Sequence, residues 1–585
     1  MASAPVPFAP EASEAPHRHA RVPPTVDQPA QTTVAADSAD DPSPPQHADT
    51  PLPKRRESLS SSDTLHSNSG EAAGACRFGG EENLEKGAKA GGQDGVAGDT
   101  PDGPGKESIV VDWKGNDDPA CPLNWSFRRR MAATICVALF TLLAPLSSSM
   151  IAPAAPQVAA KLHITDEVEI SMSVSIFVLA FAISPLVFGP ASELYGRVRV
   201  LQLANVFYLV WNLVCAFATT RGQFIAFRFL AGFGGGAPLS IGAGVLSDLW
   251  RPEERGKGAA LYSLGPLLGP AMGPVMGGWI AEKLPNNGYK VVFYATTGFS
   301  ALVQLVGLFF LTETYAPVLL RRQALTMKKD MGLPADSEEV RTIFEVKAGR
   351  KTPKEVIQHG MLRPFSLFLR EPILQILSLF MSIIYGVIYI LIVSTTDVFQ
   401  QTYGESTGIA GTNFVALMLG FFLASQVVAR LLDVMYRKLK ARENGKGRPE
   451  FRLPMMMPAS IILPVGLLLY GWAAEKRIHW IVPDIGLFLV GLSMISIFQA
   501  ISSYLLDAFT LYAASALAAA TCLRSICGFA FPLFAPYMYN GIGYGWGCTV
   551  LALVSIVVGV PAAPVLYVYG ERIRKQSRFA AKGQA

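Results

Sequence analysis

The stretch LGPLLGPAMGPVMGGW, Leu264 to Trp279, has a glycine at every fourth position and a proline after three of these glycines. Its small residues are Gly265, Pro266, Gly269, Pro270, Gly273, Pro274, Gly277 and Gly278. On a helix this spacing lines the glycines along one ridge, where a neighbouring backbone can come unusually close. The prolines make it a poor helix in water, but in lipid the neighbouring helices can satisfy the backbone groups that prolines free. The stretch therefore predicts a tightly packed, irregular membrane-spanning helix.

The composition of the whole chain is that of a membrane protein. Half of the 585 residues are hydrophobic, 16% are charged, and the mean hydropathy is +0.32. From Met131 onward, twelve apolar segments reach the roughly 20 residues that a helix needs to cross a bilayer. They lie near residues 131–153, 170–190, 200–218, 224–246, 258–280, 291–312, 373–393, 408–432, 454–474, 481–505, 511–534 and 546–568. We expect an all-α membrane protein with twelve transmembrane helices.

A long charged gap divides these segments six and six. We predict a first six-helix bundle at 126–315, a cytosolic linker at 316–372, a second bundle at 373–570 and a cytosolic C-terminal tail at 571–585. Lysine and arginine are concentrated in alternate connections, which the positive-inside rule places in the cytoplasm. Both termini are therefore predicted to be cytoplasmic. The plasma membrane is the expected location, and the vacuolar membrane is the alternative.

Residues 1–125 differ in composition from the rest of the chain. They are rich in Pro, Ala, Ser, Gly and acidic residues, and they cannot bury enough apolar surface to offset the entropy of ordering. We expect a disordered cytosolic tail. Within it, Arg55 and Arg56 precede Ser58, a candidate site for a basophilic kinase; the alternative is an unmodified tail.

The loop after the second apolar segment reads GPASELYGRVRV, residues 189–200. Its glycine, acidic and arginine residues are Gly189, Glu193, Gly196, Arg197 and Arg199. Gly196 permits a tight turn, and Glu193 is placed to face the positive N-terminus of a helix in the other bundle. Such a contact would hold the cytoplasmic side closed in one conformation. The alternative is an ordinary basic loop with a local ion pair.

A faint internal repeat relates the two halves. Asp433 and Arg437 follow the eighth segment with the spacing that Glu193 and Arg197 have after the second. Asp507 lies just past the tenth segment, as Asp248 lies past the fourth. The second-half counterparts are thus Asp433, Arg437 and Asp507, together with the deep cation Arg524. We interpret the two halves as parallel six-helix repeats around a central pathway.

Arg228 lies within the fourth apolar segment, followed one turn later by Gly232. A cation in the apolar part of a span is costly, so it should face a partner or a water-filled space. The alternative is that its side chain extends to the membrane surface.

These motifs together resemble the major facilitator superfamily. The glycine ridge is similar to the antiporter motif of its exporters, and residues 189–200 resemble its signature loop. The strings LTETYAPVLLRR, RPFSLFLREPI, GRPEFRLP and DAFTLYAASALAA resemble the fungal twelve-spanner drug:proton antiporters. The sequence departs from them at GYKVVFYATTG, where relatives often carry a Trp-Arg-Trp cluster. The resemblance implies two six-helix bundles and a proton-transfer role for Arg228 and Gly232.

The distribution of charge indicates which substrates suit the pathway. Carboxylates lie near the ends of the apolar segments, whereas the deeper charges, Arg228 and Arg524, are positive. An organic cation would need a deep carboxylate, so a neutral or anionic substrate, such as an organic acid or amphiphilic secondary metabolite, is favoured over a polyamine. By analogy with the family, the candidates for lining the substrate cavity are Ser147, Ser148, Arg228, Tyr385, Tyr389 and Gln499. The alternative is that they merely satisfy one another between helices.

Three functions compete at this point. Proton-coupled export, as in secondary metabolite efflux or multidrug resistance, is favoured by the glycine ridge; proton-coupled uptake of an organic acid and a non-transporting nutrient sensor are the alternatives. No Walker A loop, catalytic triad, metal cluster or nucleic-acid patch stands out. We therefore expect no enzyme activity, no metal, no cofactor and no nucleic-acid partner. The expected partners are a small-molecule substrate, protons from a gradient and the lipid bilayer, and the expected state is a monomer.

Overall fold

The computed structural model describes residues 109–115, 117–251, 254–348, 352–577 and 579–580. These residues belong to one compact, almost entirely helical unit. The predicted phosphorylation site Ser58 lies outside them.

The described residues form seventeen α-helices and two short strands. The first half contains α1 (Phe127–Met150), α2 (Ala155–Leu162), α3 (Glu167–Tyr195), α4 (Arg197–Cys215), α5 (Arg221–Gly235), α6 (Ala237–Leu249), α7 (Arg255–Lys283) and α8 (Gly288–Phe310). The middle contains α9 (Ala316–Asp330), α10 (Ile343–Ala348) and α11 (Pro353–Arg370). The second half contains α12 (Pro372–Tyr403), α13 (Thr407–Thr412), α14 (Phe414–Arg442), α15 (Met456–Glu475), α16 (Ile481–Phe509) and α17 (Ala513–Gln576). The strands are β1 (Ile109–Val111) and β2 (Val340–Thr342).

Most of the helical residues belong to twelve membrane spans. In the described chain, ten helical segments are long and apolar enough to cross a bilayer. One of them, α17, has 64 residues and is interrupted at Gly543, whose φ of 79° is not helical, so it supplies two spans. The 29-residue α7 is a further span, whose many glycine and proline residues lower its hydropathy. Six spans precede and six follow the central helices, which confirms the predicted fold.

The helices of each half pack on one another and then across the midline. In the first half α1 packs on α7 and α8, and α4 packs on α5 and α8; in the second, α12 packs on α17, and α15 packs on α16. The halves meet where α3 contacts α17 and where α7 contacts α13 and α14. The bounds 126–315, 316–372, 373–570 and 571–585 stay predictions. We call the face that carries residues 189–200 and the central helices the loop face, predicted to be cytoplasmic, and the other the opposite face.

The prediction of disorder up to residue 125 is wrong for residues 109–115 and 117–125. β1 pairs in parallel with β2, so that Ile109, Val110 and Val111 align with Val340, Arg341 and Thr342. Val111 and Trp113 pack with Leu320 and Ala324 of α9 in a small hydrophobic cluster. The apolar run IVVDW is long enough to add a strand to the central stretch, although the composition averaged over 125 residues conceals it.

Candidate transport pathway

The glycine ridge of α7 forms a close seam with α1. A β-carbon on Gly265 would lie 2.5 Å from the Ala138 carbonyl oxygen, and one on Gly269 would lie 2.7 Å from Pro145 Cβ. A β-carbon on Gly273 would meet the Ser149 hydroxyl, and one on Gly277 would meet the Met150 carbonyl oxygen. Four glycines therefore let α7 lie against the backbone of α1 along about three turns.

Gly278, next to the last glycine of the ridge, points at the other bundle. A β-carbon there would lie 2.7 Å from the Thr407 carbonyl oxygen of α13. Beside it, Trp279 Nε1 donates a 3.2 Å hydrogen bond to the Thr412 hydroxyl, and the Gly408 amide donates a 2.7 Å bond to Glu282 Oε2. The halves are therefore joined at the opposite face by α7 and α13.

A second contact joins the halves at the opposite face. Asn540 Nδ2, in α17, donates a 2.9 Å hydrogen bond to Glu167 Oε2 at the start of α3. The described conformation is thus held together at the face opposite the signature loop.

The signature loop is held by carboxylates of its own bundle. Gly196 has a φ of 103°, which suits glycine, and a β-carbon there would collide with the Glu313 carboxylate. Glu313 Oε1 accepts a 2.9 Å hydrogen bond from the Arg197 amide at the start of α4. The N-terminus of a helix favours such a negative charge. The Arg197 guanidinium lies 3.4 Å from Asp248 Oδ2 and donates a 2.8 Å hydrogen bond to the Ser192 hydroxyl.

Glu193 and Arg199 of this loop are exposed. Within the part of the chain that the structure describes, Glu193 makes no hydrogen bond or ion pair, so its expected contact with the second bundle is not made in this conformation. Gly189 also has open space around it, since a β-carbon there would meet nothing within 4 Å. The carboxylate that occupies a helix N-terminus here is Glu313, which sequence reasoning missed.

In the second half, Arg452 pairs with both predicted aspartates, Asp433 and Asp507. Arg452 Nη1 lies 2.8 Å from Asp433 Oδ1, and Arg452 Nε lies 3.0 Å from Asp507 Oδ2. Among the described residues, the hydrogen bond of the Arg437 side chain goes to the carbonyl oxygen of Asp433 in its own helix, at 3.4 Å. Arg437 stays a predicted counterpart of Arg197 by its spacing, while the 3-10 helix Pro449–Met455 folds back and brings Arg452 between the two aspartates.

Arg228 is fully buried inside the first bundle. Its guanidinium donates to the carbonyl oxygens of Ser147 and Ser148 in α1, both at 3.3 Å, and of Ser173 and Val174 in α3, at 3.3 and 3.4 Å. The two α1 carbonyls belong to the last turn of that helix, which lacks intrahelical partners and carries partial negative charge. This geometry excludes the alternative that Arg228 extends to the membrane surface.

Gly232, one turn after Arg228, brings α5 close to α3. A β-carbon on Gly232 would collide with the Phe177 carbonyl oxygen and would lie 3.1 Å from Ala180 Cβ. Gly232 therefore sets the distance at which Arg228 reaches the carbonyls of α3.

A central cluster of three rings and one arginine lies between the bundles. It consists of Tyr385, Tyr389, Phe498 and Arg524. The Tyr385 ring centroid is 5.0 Å from that of Tyr389 and 6.1 Å from that of Phe498. Arg524 Cζ lies 5.1 Å from the Tyr385 centroid and 5.7 Å from the Phe498 centroid, within cation–π range. A 3.1 Å hydrogen bond between the hydroxyls of Tyr389 and Ser148 links the cluster to the first bundle.

Arg524 Nε and Oε1 of Gln499, which follows Phe498 in α16, are enclosed without a hydrogen-bond partner among the described residues. Buried polar atoms in proteins are nearly always bonded, so these two are available to a bound molecule. The Ser147 hydroxyl, in contrast, has a partner, because it donates a 3.2 Å hydrogen bond to Asn212 Oδ1 inside the first bundle. Of the predicted cavity residues, the structure brings Ser148, Tyr385 and Tyr389 together and leaves Ser147 elsewhere.

The family model described as Major Facilitator Superfamily matches residues 137–532. The chain belongs to the major facilitator superfamily. This match covers α7, the signature loop and the central cluster, and it confirms the resemblance that the motifs indicated.

Fungal transporters are similar to this major facilitator over most of its length. The efflux pump vrtL of Penicillium aethiopicum is 44% identical over 476 residues, covering 81% of this chain and 92% of that protein. The MFS-type transporter penM of Penicillium rubens is 40% identical over 479 residues, covering 81% and 91%. The uncharacterized transporter C1529.01 of Schizosaccharomyces pombe is 38% identical over 473 residues, covering 81% and 94%. The chain is a fungal multi-pass membrane transporter of this superfamily.

Solved major facilitator structures share the fold. The xylose transporter XylE from E. coli, in a partially occluded inward-open conformation, matches with a TM-score of 0.56 and 14% identity, covering 76% of this chain and 98% of that one. The human organic anion transporter MFSD10 matches with a TM-score of 0.50 and 18% identity, covering 75% and 100%. At these identities the likeness shows the fold alone.

Proposed function

We propose that this transporter exports a small organic metabolite or xenobiotic, neutral or anionic, by alternating access and proton antiport. The observation that carries the proposal is Arg524, which faces two aromatic rings at the boundary between the bundles. Within the described residues it has no carboxylate within 4.0 Å, and its Nε is enclosed and unbonded. A ligand that accepts a hydrogen bond or carries negative charge would satisfy this arginine.

The two deep arginines differ in what they offer a ligand. Arg228 is surrounded by four carbonyl oxygens, whereas Arg524 contacts aromatic faces. An organic cation held about 5 Å from Arg524 would be repelled by roughly 3 kcal/mol at an effective dielectric constant near 20. The rings of Tyr385 and Phe498 would in turn stack on an aromatic or amphiphilic body. An organic acid or an amphiphilic secondary metabolite fits both features better than a polyamine.

Export, rather than uptake, is supported by the names of relatives and by α7. The relatives include the efflux pumps vrtL of Penicillium aethiopicum and radE of Floropilus chiversii. The glycine seam between α7 and α1 matches the antiporter motif of major facilitator exporters. Proton coupling through Arg228, a monomeric state and a plasma-membrane location, with the vacuole as the alternative, are parts of the same proposal.

The test compares wild-type protein with Arg524→Gln and the matched control Arg221→Gln, an arginine whose side chain is 63% exposed. Media of cells with and without the protein are profiled to find an exported compound. Its uptake into inside-out vesicles is then measured with and without an imposed proton gradient. We expect an acid or neutral amphiphile to accumulate only with the gradient, and Arg524→Gln to reduce that accumulation strongly while Arg221→Gln leaves it unchanged. Preferred export of a polyamine, or equal transport by both variants, would contradict the proposal.

A further inference from the structure

The C-terminal end of the chain folds back onto the junction between α11 and α12. The Ser577 hydroxyl donates a 2.7 Å hydrogen bond to Glu371 Oε1, and the Glu371 residue is only 3% exposed. Ser577 Oγ in turn accepts hydrogen bonds from the amides of Phe579, at 3.1 Å, and Ala580, at 2.8 Å. The Phe579 ring packs edge-on against Tyr512, with centroids 5.2 Å apart. We call Glu371, Tyr512, Ser577 and Phe579 the C-terminal clasp.

The clasp reaches the first bundle through α11. Arg363 of α11 places its Cζ 4.1 Å from the Tyr512 ring centroid. One turn earlier, a β-carbon on Gly360 would collide with the Pro190 ring near the end of α3. α11 therefore connects the start of α17 with the signature loop of the first bundle. Ser577 and Phe579 hold the end of this connection at α17.

We propose that Ser577 is a phosphorylation site and that its phosphorylation opens the C-terminal clasp. The sequence before it is Arg574, Lys575 and Gln576, and a basic pair three and two residues before a serine suits a basophilic protein kinase. The Lys575 side chain is 74% exposed on the loop face, the predicted cytosolic side. In the reaction, Ser577 Oγ attacks the γ-phosphorus of ATP, the bond to the ADP oxygen breaks, and the hydroxyl proton passes to the kinase base. The products are phosphoserine and ADP.

The chemistry of the clasp makes it sensitive to this modification. Phosphorylation removes the proton that Ser577 donates to Glu371 and adds a charge of about −1.5 to −2 beside that carboxylate. Like charges at a buried site repel strongly, so the tail cannot dock again. In the docked tail Ser577 Oγ is engaged by three hydrogen bonds, so a kinase acts on the tail when it is undocked. Phosphorylation then keeps it undocked, whatever compound the protein transports.

The docking part of the proposal is tested by hydrogen exchange of the full-length protein in lipid nanodiscs. The readout is the exchange of amides in α11, a helix that carries none of the substitutions. We expect S577D to raise this exchange by roughly 10- to 100-fold, because a hydrogen bond to a charged group contributes about 1.5 to 3 kcal/mol and each 1.4 kcal/mol is a factor of ten. S577A, which adds no charge, should raise it less. In the double variant S577D/E371Q the exchange of the α11 amides should return towards the wild-type rate, because E371Q removes the charge that repels the carboxylate introduced by S577D.

Phe579→Ala serves as the positive control, since it should open the clasp without changing charge. This variant is also incubated with the catalytic subunit of a basophilic kinase and ATP, and its phosphate is located by mass spectrometry. Phosphate on Ser577, together with reversal of the S577D effect by E371Q, supports the proposal. Absence of phosphate from Ser577 in the opened variant, wild-type exchange in S577D, or an S577D effect that E371Q does not reverse would each overturn it.

Discussion

Adding one methyl group to the α7 seam should separate α7 from α1. In Gly273→Ala the new β-carbon would lie 2.8 Å from the Met150 nitrogen and 2.9 Å from the Leu146 carbonyl oxygen, besides meeting the Ser149 hydroxyl. Ordinary van der Waals contact begins at 3.4 Å, so the helices must move apart by about 0.6 Å. Overpacking of this kind costs about 1 to 3 kcal/mol. Because both neighbouring atoms are backbone, a change of rotamer cannot relieve the contact.

The matched control is Gly298→Ala in α8, where a β-carbon meets none of the described residues within 4 Å. Both substitutions gain the same helix propensity, so the difference between them isolates the contact with α1. We expect Gly273→Ala to lower the midpoint of thermal unfolding in detergent and to reduce substrate transport in vesicles, and Gly298→Ala to do neither. If the two variants are equally stable and equally active, the seam does not hold α7 against α1 as the structure indicates.

Three further predictions concern stability, each followed by thermal unfolding. Arg452→Gln should cost about 1 to 2 kcal/mol, mostly through Asp507, whereas Arg437→Gln should stay within about 0.5 kcal/mol; equal effects would contradict the ion pairs of Arg452. Arg228→Lys should lose at least one of four hydrogen bonds to carbonyl oxygens, because an ammonium has three donors, and about 1.5 to 3 kcal/mol; a variant as stable as wild type would contradict that network. Burial raises the pKa of Glu371 above its ordinary 4.5, so its contribution to stability is fully present below pH 4.5 and is lost as the pH rises through the raised pKa. Glu371→Gln should remove this part of the pH dependence, and an unchanged profile would contradict it.

The sequence predicts the spans and the close approach of α7 because both depend on composition and local spacing. A four-residue glycine repeat can be recognised in the sequence without knowing which helix packs against it. The tertiary fold decides that Gly265 to Gly277 face α1 and that Gly278 faces α13. The burial of Arg228 is likewise predictable from the cost of a cation in lipid. Its hydrogen-bond partners are main-chain carbonyl oxygens. Because every residue has one, the sequence does not show which of them the arginine contacts.

The contacts that the sequence does not predict are those whose partner comes from a distant part of the chain. Arg437 matches the repeat in spacing, but Arg452 reaches Asp433 and Asp507 because a short 3-10 helix turns back after α14. Glu313 binds the start of α4 across more than a hundred residues, and no local pattern indicates that contact. Similarly, IVVDW has no strand partner nearby in sequence, since β2 follows after the whole first bundle.

That strand pair gives the first bundle a fixed point of entry and exit. Since β1 precedes α1 and β2 follows α9, the backbone that leaves for the membrane and the backbone that returns from it are bound side by side. Six membrane spans thus lie between two strands that are hydrogen-bonded to each other, and a force on the N-terminal segment would reach the central stretch through the β1–β2 pair before it strained α1. The β1–β2 pair would therefore take up part of such a force before the six spans do.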